Sequence, residues 1–404
     1  MRAGVIIVGG GQAALSAAVK LREIDDLIPI KMICGENVLP YQRPPLSKKY
    51  LSGEMPLDRL LLRPREWYDD QNIEILLGER VESIQRDEKS ITLYNGQILP
   101  YEKLLLATGS HARNLPVPMG GRLAGVHYIR CSLDVDAMRP EMTSGTKLVV
   151  IGGGYIGLEI AAVAKQMGLE VTIVEMADRI LQRVAAPQTS QYFRALHERN
   201  NVSILEGVGL SKLFETNGRV SSAELTDGTV LEAGLVLAGI GVLPTTELAA
   251  SSGLEILNGI AVDAFCRTSD LDIFSAGDCA SFDYRGDRIR LESVPNAIHQ
   301  AETAAMNLLG GAVPYVATPW FWSDQYDVKL QIAGLNTGYD STIVRPGKRD
   351  GAQSVWYYQG EQLLAVDAMN DAPSFMLARR IIEAGKNVPK AVASDAASNL
   401  KEWV

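Results

Sequence analysis

The chain has 404 residues, enough for two or three domains with cores of their own. Hydrophobic residues make up 47% and charged residues 22%, ordinary globular values that exclude a disordered or fibrous protein. A net charge of −9 argues against a general nucleic-acid binder and against a binder of anionic membranes, and no apolar run reaches the ~20 residues that span a bilayer.

The first stretch, MRAGVIIVGGGQAAL, sets a basic residue before an apolar run, as a signal peptide would. Three glycines interrupt the run and no cleavage-like site follows, so it reads as a first strand. Residues 4–14 (GVIIVGGGQAA) and 147–162 (KLVVIGGGYIGLEIAA) share one grammar: a β-branched apolar run, three glycines, then a helical pattern rich in Ala and Leu. A continuous apolar strand indicates burial on both faces, as in a parallel sheet flanked by helices. Further apolar runs follow at 28–34 and 170–174, so the chain holds two βαβ units.

Between and after them lie hairpin-rich stretches. Residues 72–100 contain an Asn95-Gly96 turn and residues 202–240 an Asp227-Gly228 turn. Each half then closes on a strand ending in glycine, LLLATG and LVLAGIG. Residues 271–280 (LDIFSAGDCA) read as another strand running into a tight turn, followed by a helix at about 295–309. From Trp320 the texture changes to aromatic, alternating strands and a helix from Ala372 to Gly385, a third, α+β domain. The fold class is therefore α/β, with two Rossmann-like dinucleotide-binding domains and a C-terminal α+β domain. The expected division is 1–112 with 244–320, then 113–243 inserted, then 321–404.

The glycine turns carry the chemistry. In Gly9-x-Gly11-x-x-Ala14 the first glycine permits the tight turn and the second lets backbone approach a pyrophosphate. The small third residue allows close helix–sheet packing, and the helix N-terminus faces the phosphates. Glu36 ends the second strand, 27 residues after Gly9, where a carboxylate can accept from ribose hydroxyls. Gly152-x-Gly154-x-x-Gly157 repeats the pattern, with Glu175 following Gly152 by 23 residues. Two such turns in context imply two dinucleotides, and a chain that holds two is expected to pass a hydride between a nicotinamide and a flavin. The charge of Glu175 favours NADH over NADPH, although Arg179 and Arg183 lie near enough to accept a 2′-phosphate.

These segments resemble the NADH-dependent, FAD-containing ferredoxin reductases of the putidaredoxin reductase type. The likeness runs through YQRPPLSKKYLSG at 41–53, LLLATGS at 104–110, GGGYIGLEIAA at 152–162, LQRVAAP at 181–187 and AGIGVLPTTELA at 238–249. It continues through IFSAGDCA at 273–280, ESVPNAIHQAE at 292–302 and PWFWSDQYD at 319–327. The resemblance implies that Ala13 and Glu36 hold the adenosine half of FAD, beside the FAD-binding turn of Gly9, Gly11 and Ala14. It implies that Arg43 and Arg130 neutralise the pyrophosphate and that the Val81 backbone meets the adenine. Asp278 would bind the ribityl or phosphate region, and Val294, opening a helix, would set N–H groups near flavin O2. Negative charge on reduced flavin there suits a helix N-terminus. For NAD it implies Gly152, Gly154, Ile156, Gly157, Glu159 and Glu175.

The same resemblance pairs Lys48, beside flavin N5, with Glu159 at the nicotinamide site. A carboxylate partner makes a buried cation tolerable; the bland alternative is a surface lysine and a helix-face glutamate. Tyr155 either stacks over the flavin where nicotinamide enters or is an ordinary packed tyrosine. Trp320 and Trp322 either line the flavin edge facing the acceptor or are core aromatics.

What is missing matters too. The stretch 39–49 (LPYQRPPLSKK) holds none of the redox cysteines found there in disulfide reductases and NADH peroxidases. Cys34, Cys131, Cys266 and Cys279 form no CxxC or metal-ligand spacing, which fits reduced thiols in a cytoplasmic protein with no metal. Cys34 and Cys279 read as structural. His111, His127, His197 and His299 show no metal spacing and receive no catalytic role. Electrons would then leave directly from the flavin to a one-electron carrier; the resemblance implies a two-iron (2Fe-2S) ferredoxin serving a haem-thiolate monooxygenase or ring-hydroxylating dioxygenase, with no nucleic acid or membrane as partner. Candidate docking cations are Lys48, Lys49, Arg63 and Arg65, with Arg379, Arg380 and Lys386; these are otherwise solvated surface charges. Rivals are a rubredoxin reductase or NADH oxidase and, of another class, a nucleotide-regulated binding protein like apoptosis-inducing factor.

Overall fold

The run Val5–Val8 is buried at all four positions and becomes the central strand of a five-stranded parallel sheet. Across the sheet the order is Ile273–Ser275, Lys103–Leu106, Val5–Val8, Ile30–Cys34 and Ile73–Leu77. The computed structural model describes residues 3–404; Met1 and Arg2, the start of the signal-like pattern, lie outside the described residues. After Val8 the chain turns through Gly9, whose φ of 144° lies in the region that favours glycine. A Cβ there would fall 2.1 Å from the Ala107 carbonyl oxygen, so this glycine also fixes how closely two neighbouring strand ends approach. The helix Gln12–Ile24 follows, and its Ala13, Ala14, Ala17 and Ala18 pack with Ala297, Ala301, Ala304 and Ala305 of the helix Val294–Leu308. Small residues on both helices let them lie close together.

A second five-stranded parallel sheet repeats the plan, in the order Ser203–Glu206, Glu170–Glu175, Lys147–Ile151, Leu235–Ala238 and Val126–His127. The helix Tyr155–Gln166 follows its glycine turn. Both expected hairpin turns form: Gly96 N–H donates to Leu93 and Gly228 N–H to Leu225. The C-terminal region is an antiparallel sheet in the order Trp320–Gln325, Val328–Gly334, Gln362–Met369, Gln353–Gln359 and Ser341–Pro346. The helix Ala372–Glu383, two residues shorter than expected, buries Phe375, Ala378 and Ile381 against Trp356, Tyr358 and Val366.

The chain divides into two compact units. One comprises the chain up to Arg43 with Leu57–His111 and Val242–Pro319. The other comprises Pro44–Pro56, Ala112–Gly241 and Trp320–Val404. The second parallel sheet and the C-terminal sheet thus share a unit, which also includes the short segment that carries Ser47 and Lys48. Among the described residues, no helix is long and apolar enough to cross a membrane.

Candidate functional site

In the first unit, a Cβ on Gly11 would meet nothing within 4 Å. The helix it opens has no acidic residue in its first turn and no side-chain cap on its N–H groups. This is a cradle a phosphate fits. Gly277, φ 85°, turns beside it: a Cβ there would lie 3.1 Å from that of Ala13 and 3.9 Å from that of Ala297. The Gln300 side chain holds this turn by accepting from Gly277 N–H at 2.8 Å. Next along the chain, the Asp278 carboxylate accepts from Ser110 Oγ at 2.9 Å and the Asp278 carbonyl from Arg290 at 3.0 Å. Val294 opens its helix as expected, with Ser293 capping the Asn296 N–H.

Glu36 accepts from Tyr41 Oη and from Arg43, both at 2.6 Å. Arg43, expected on the pyrophosphate, therefore has its guanidinium on the expected ribose carboxylate. A carboxylate has acceptor positions for more than two donors. Val81 starts the strand Val81–Gln85, just after Glu79 N–H bonds the Cys34 carbonyl. Burial pushes the Cys34 thiol up to about 12, and the group lies against the Gly9 carbonyl, an inert structural cysteine. All four cysteines are free.

In the second unit, a Cβ on Gly154 would likewise meet nothing within 4 Å, and the helix behind it again lacks a first-turn acid and a side-chain cap. Gly157 packs tightly instead: its Cβ would fall 2.2 Å from the Gly152 carbonyl oxygen. Glu175 accepts from Gly153 N–H at 2.7 Å and Ala177 N–H at 2.8 Å, so it braces the turn it was expected to serve. Ile156 is exposed in the first turn of the helix. Arg130 lies in this unit, its backbone N–H on Asp134 at the turn before the helix Ser132–Met138.

Glu159, on the helix Tyr155–Gln166 and 4% exposed, gathers three donors. Lys48 Nζ lies 2.6 Å from Oε2, the Ser47 hydroxyl donates to the same oxygen, and the Ser323 hydroxyl donates to Oε1 at 2.7 Å. The expected Lys48–Glu159 pair thus forms. The Lys48 side chain is 18% exposed and engaged by Glu159. Lys49 is exposed, whereas Arg65 and Arg379 pair with Asp69 and Glu383 on their own helices.

Tyr155 sets its ring 5.0 Å from that of Phe321, and its hydroxyl is buried without a partner. Burial holds this phenol well above its usual range, with the Asp367 carboxylate adding to the effect. Asp367 itself accepts from Tyr357 and Thr189, and burial raises its carboxyl to about 6. Trp322 packs 5.6 Å from Trp320, which in turn lies against Phe375 and under Arg379.

Sequence reasoning missed Ser47, Ser323 and Gln325 and set His197 aside. The signal was present: alternation along Trp320–Gln325 puts Phe321, Ser323 and Gln325 on one face, away from the two tryptophans.

The match to the family described as pyridine nucleotide-disulphide oxidoreductase covers residues 3–301, and a reductase C-terminal family covers 320–404. The chain belongs to the pyridine nucleotide-disulphide oxidoreductase family. Within this family it is 40% identical over 401 residues to the 5,5'-dehydrodivanillate O-demethylase ferredoxin reductase subunit of Sphingobium sp., covering 98% of this chain and 97% of that one. Two solved structures are similar throughout. Putidaredoxin reductase, in its covalent complex with putidaredoxin, superposes with a TM-score of 0.94 at 40% identity, covering 98% and 97% of the two chains. The ferredoxin reductase for the CYP199A2 system of Rhodopseudomonas palustris gives 0.95 at 39%, covering 98% of each. The expected resemblance and fold class hold. The stretch 39–49 holds no cysteine.

Proposed function

We propose that this chain is an FAD-containing NADH:ferredoxin reductase that supplies a terminal oxygenase. The supporting observation is similarity along its whole length, C-terminal domain included, to ferredoxin reductases of oxygenase systems. One NADH would reduce two molecules of a two-iron ferredoxin and release one proton. Bound FAD supplies the conversion from a hydride to single electrons.

The chain's own residues bind and orient. The Gly9–Ala14 turn holds the FAD pyrophosphate on its helix N-terminus, and Glu36 holds the adenosine ribose, with Val81 beside the adenine. Arg43 and Arg130 bring positive charge, while Asp278 and the N-terminus at Val294 serve the remainder of the flavin. The Gly152–Gly157 turn with Ile156 holds the NADH pyrophosphate, and Glu175 selects NADH by repelling a 2′-phosphate. Lys48, seated on Glu159, sets a cation beside the reacting flavin atoms and stabilises negative charge gained there. No side chain need take up a proton in hydride transfer, so rate enhancement rests on juxtaposition and electrostatics. Tyr155 guards the nicotinamide face and Trp322 the acceptor side. In domain terms, residues 1–112 and 244–320 bind FAD, 113–243 bind NADH, and 321–404 complete the acceptor side. Four free thiols suit a cytoplasmic protein.

The test is cytochrome c reduction with NADH or NADPH across a panel of two-iron ferredoxins. Ferredoxin-dependent turnover that prefers NADH is expected. Turnover with rubredoxin or oxygen alone favours an enzyme with another acceptor. Slow reduction to a long-lived charge-transfer complex, indifferent to ferredoxin, favours a nucleotide-regulated binding protein.

A further inference from the structure

From the Lys48–Glu159 pair a line of buried polar side chains runs inward. Glu159 Oε1 accepts from the Ser323 hydroxyl at 2.7 Å, and Ser323 Oγ accepts from Gln325 Nε2 at 3.2 Å. Gln325 Oε1 lies 2.9 Å from His197 Nε2. Ser323, Gln325 and His197 are fully buried. They come from different elements: the first two from the strand Trp320–Gln325, the histidine from the helix Pro187–Arg199.

Such a chain has two possible polarities, because Ser323 has one proton and the Gln325 amide has one donor end and one acceptor end. In the first, His197 Nε2–H donates to Gln325 Oε1, the amide N–H faces Ser323, and the serine proton goes to Glu159. In the second, the amide is turned and donates to a bare Nε2. Its oxygen then attracts the Ser323 proton, and Glu159 Oε1 loses its donor. The surroundings of His197 choose between them. Its Nδ1 is buried without a partner, and an unpartnered lone pair is more tolerable there than an unpartnered N–H. The proton therefore sits on Nε2. Burial also lowers the imidazole below its usual range, which keeps the ring neutral.

We infer that His197 and Gln325 are positioning residues: the Nε2–H form of His197, acting through the Gln325 amide, commits the Ser323 proton to Glu159 and so fixes the carboxylate on which Lys48 sits. This rests on the reading that the Lys48–Glu159 pair serves hydride transfer. The chain is an orienting device, not a proton conduit, since a side-chain amide relays a proton only through its imidic form.

The first test is nitrogen-15 spectroscopy of the histidine-labelled holoenzyme, with the His197 signal assigned by its loss in His197→Gln. A neutral ring protonated on Nε2 is expected; a proton on Nδ1, or a charged ring, overturns the inference. The second is rapid mixing with NADH. His197→Leu and Ser323→Ala should each slow flavin reduction at saturating NADH about tenfold, the effect of one lost bond to a charged group, with half-saturation within about twofold. The double variant should be no slower than either single one. His197→Gln, whose amide N–H stands in for Nε2–H, should recover to within about twofold of the parent. An unchanged His197→Leu rate, additive losses or failed rescue would overturn the inference. A parent protein that NADH does not reduce contradicts the proposed function instead, and the histidine spectrum still decides the polarity.

Discussion

The two glycine turns share a backbone path and differ in how their acidic residues and third positions are used. In the first, Glu36 is held by side chains, Tyr41 and Arg43, and Ala14 stands third. In the second, Glu175 is held by backbone N–H groups of the turn itself, and Gly157 stands third against the Gly152 carbonyl. The first turn is braced from outside and tolerates a methyl group; the second braces itself and has no room for one. What they share is the empty space at Gly11 and Gly154. The common element is the part a pyrophosphate requires, and the variable elements are local solutions to packing.

The largest expected effect breaks both turns alike. Gly9→Ala and Gly152→Ala combine a positive φ with a Cβ 2.1 Å and 2.5 Å from a carbonyl oxygen. Each should cost roughly 2–5 kcal/mol of stability, read by chemical denaturation. Next, Gly157→Ala should destabilise by about 1–3 kcal/mol through overpacking, whereas Ala14→Gly should cost about 1 kcal/mol or less. Equal effects at the two positions would show that the two turns do not differ in the room they leave for a methyl group.

Gly11→Ala and Gly154→Ala add a methyl group into open space, so stability should move by about 0.5 kcal/mol or less. Their effects should separate by ligand. Gly11→Ala should purify with little or no flavin, measured by its absorbance, while Gly154→Ala should keep flavin and lose NADH affinity. Loss of flavin from both, or from neither, would contradict the assignment of one dinucleotide to each turn.

The smallest effect concerns a feature near the second helix alone, the buried Asp367 carboxyl raised to about 6 from an ordinary 3.8. Between these values the folded protein holds a proton that the unfolded chain has released. Asp367 thus lowers stability above about pH 6, and the penalty fades as pH falls through this window. Asp367→Asn keeps an oxygen for Tyr357 and Thr189 and should flatten this part of the stability–pH curve. A slope unchanged between pH 4 and 6.5 would show that another group titrates there.

Much of this was legible in the sequence because it is local. A β-branched run, a glycine turn and an alanine-rich helix are contiguous, as are the Asn95-Gly96 and Asp227-Gly228 turns, and each folded as written. The Lys48–Glu159 pair spans 111 residues and came from family resemblance, not from any periodicity. Ser323 and Gln325 were hidden in a strand whose tryptophans dominate its texture, although its two-residue alternation separates them. His197 shows no metal spacing, and spacing says nothing about a histidine whose partner lies 128 residues away. Nor could composition show that the C-terminal sheet shares a unit with the second parallel sheet, a result of tertiary contacts such as Ala186 N–H to Tyr357 Oη at 2.9 Å.

The proposed reaction turns one hydride into two single electrons for a ferredoxin. An anaerobic titration tests it most directly: NADH is added stepwise to purified protein with excess two-iron ferredoxin, and both chromophores are followed. A bound flavin and two ferredoxins reduced for each NADH consumed are expected. A protein without flavin, or one whose flavin NADH bleaches while the ferredoxin stays oxidised, would contradict it.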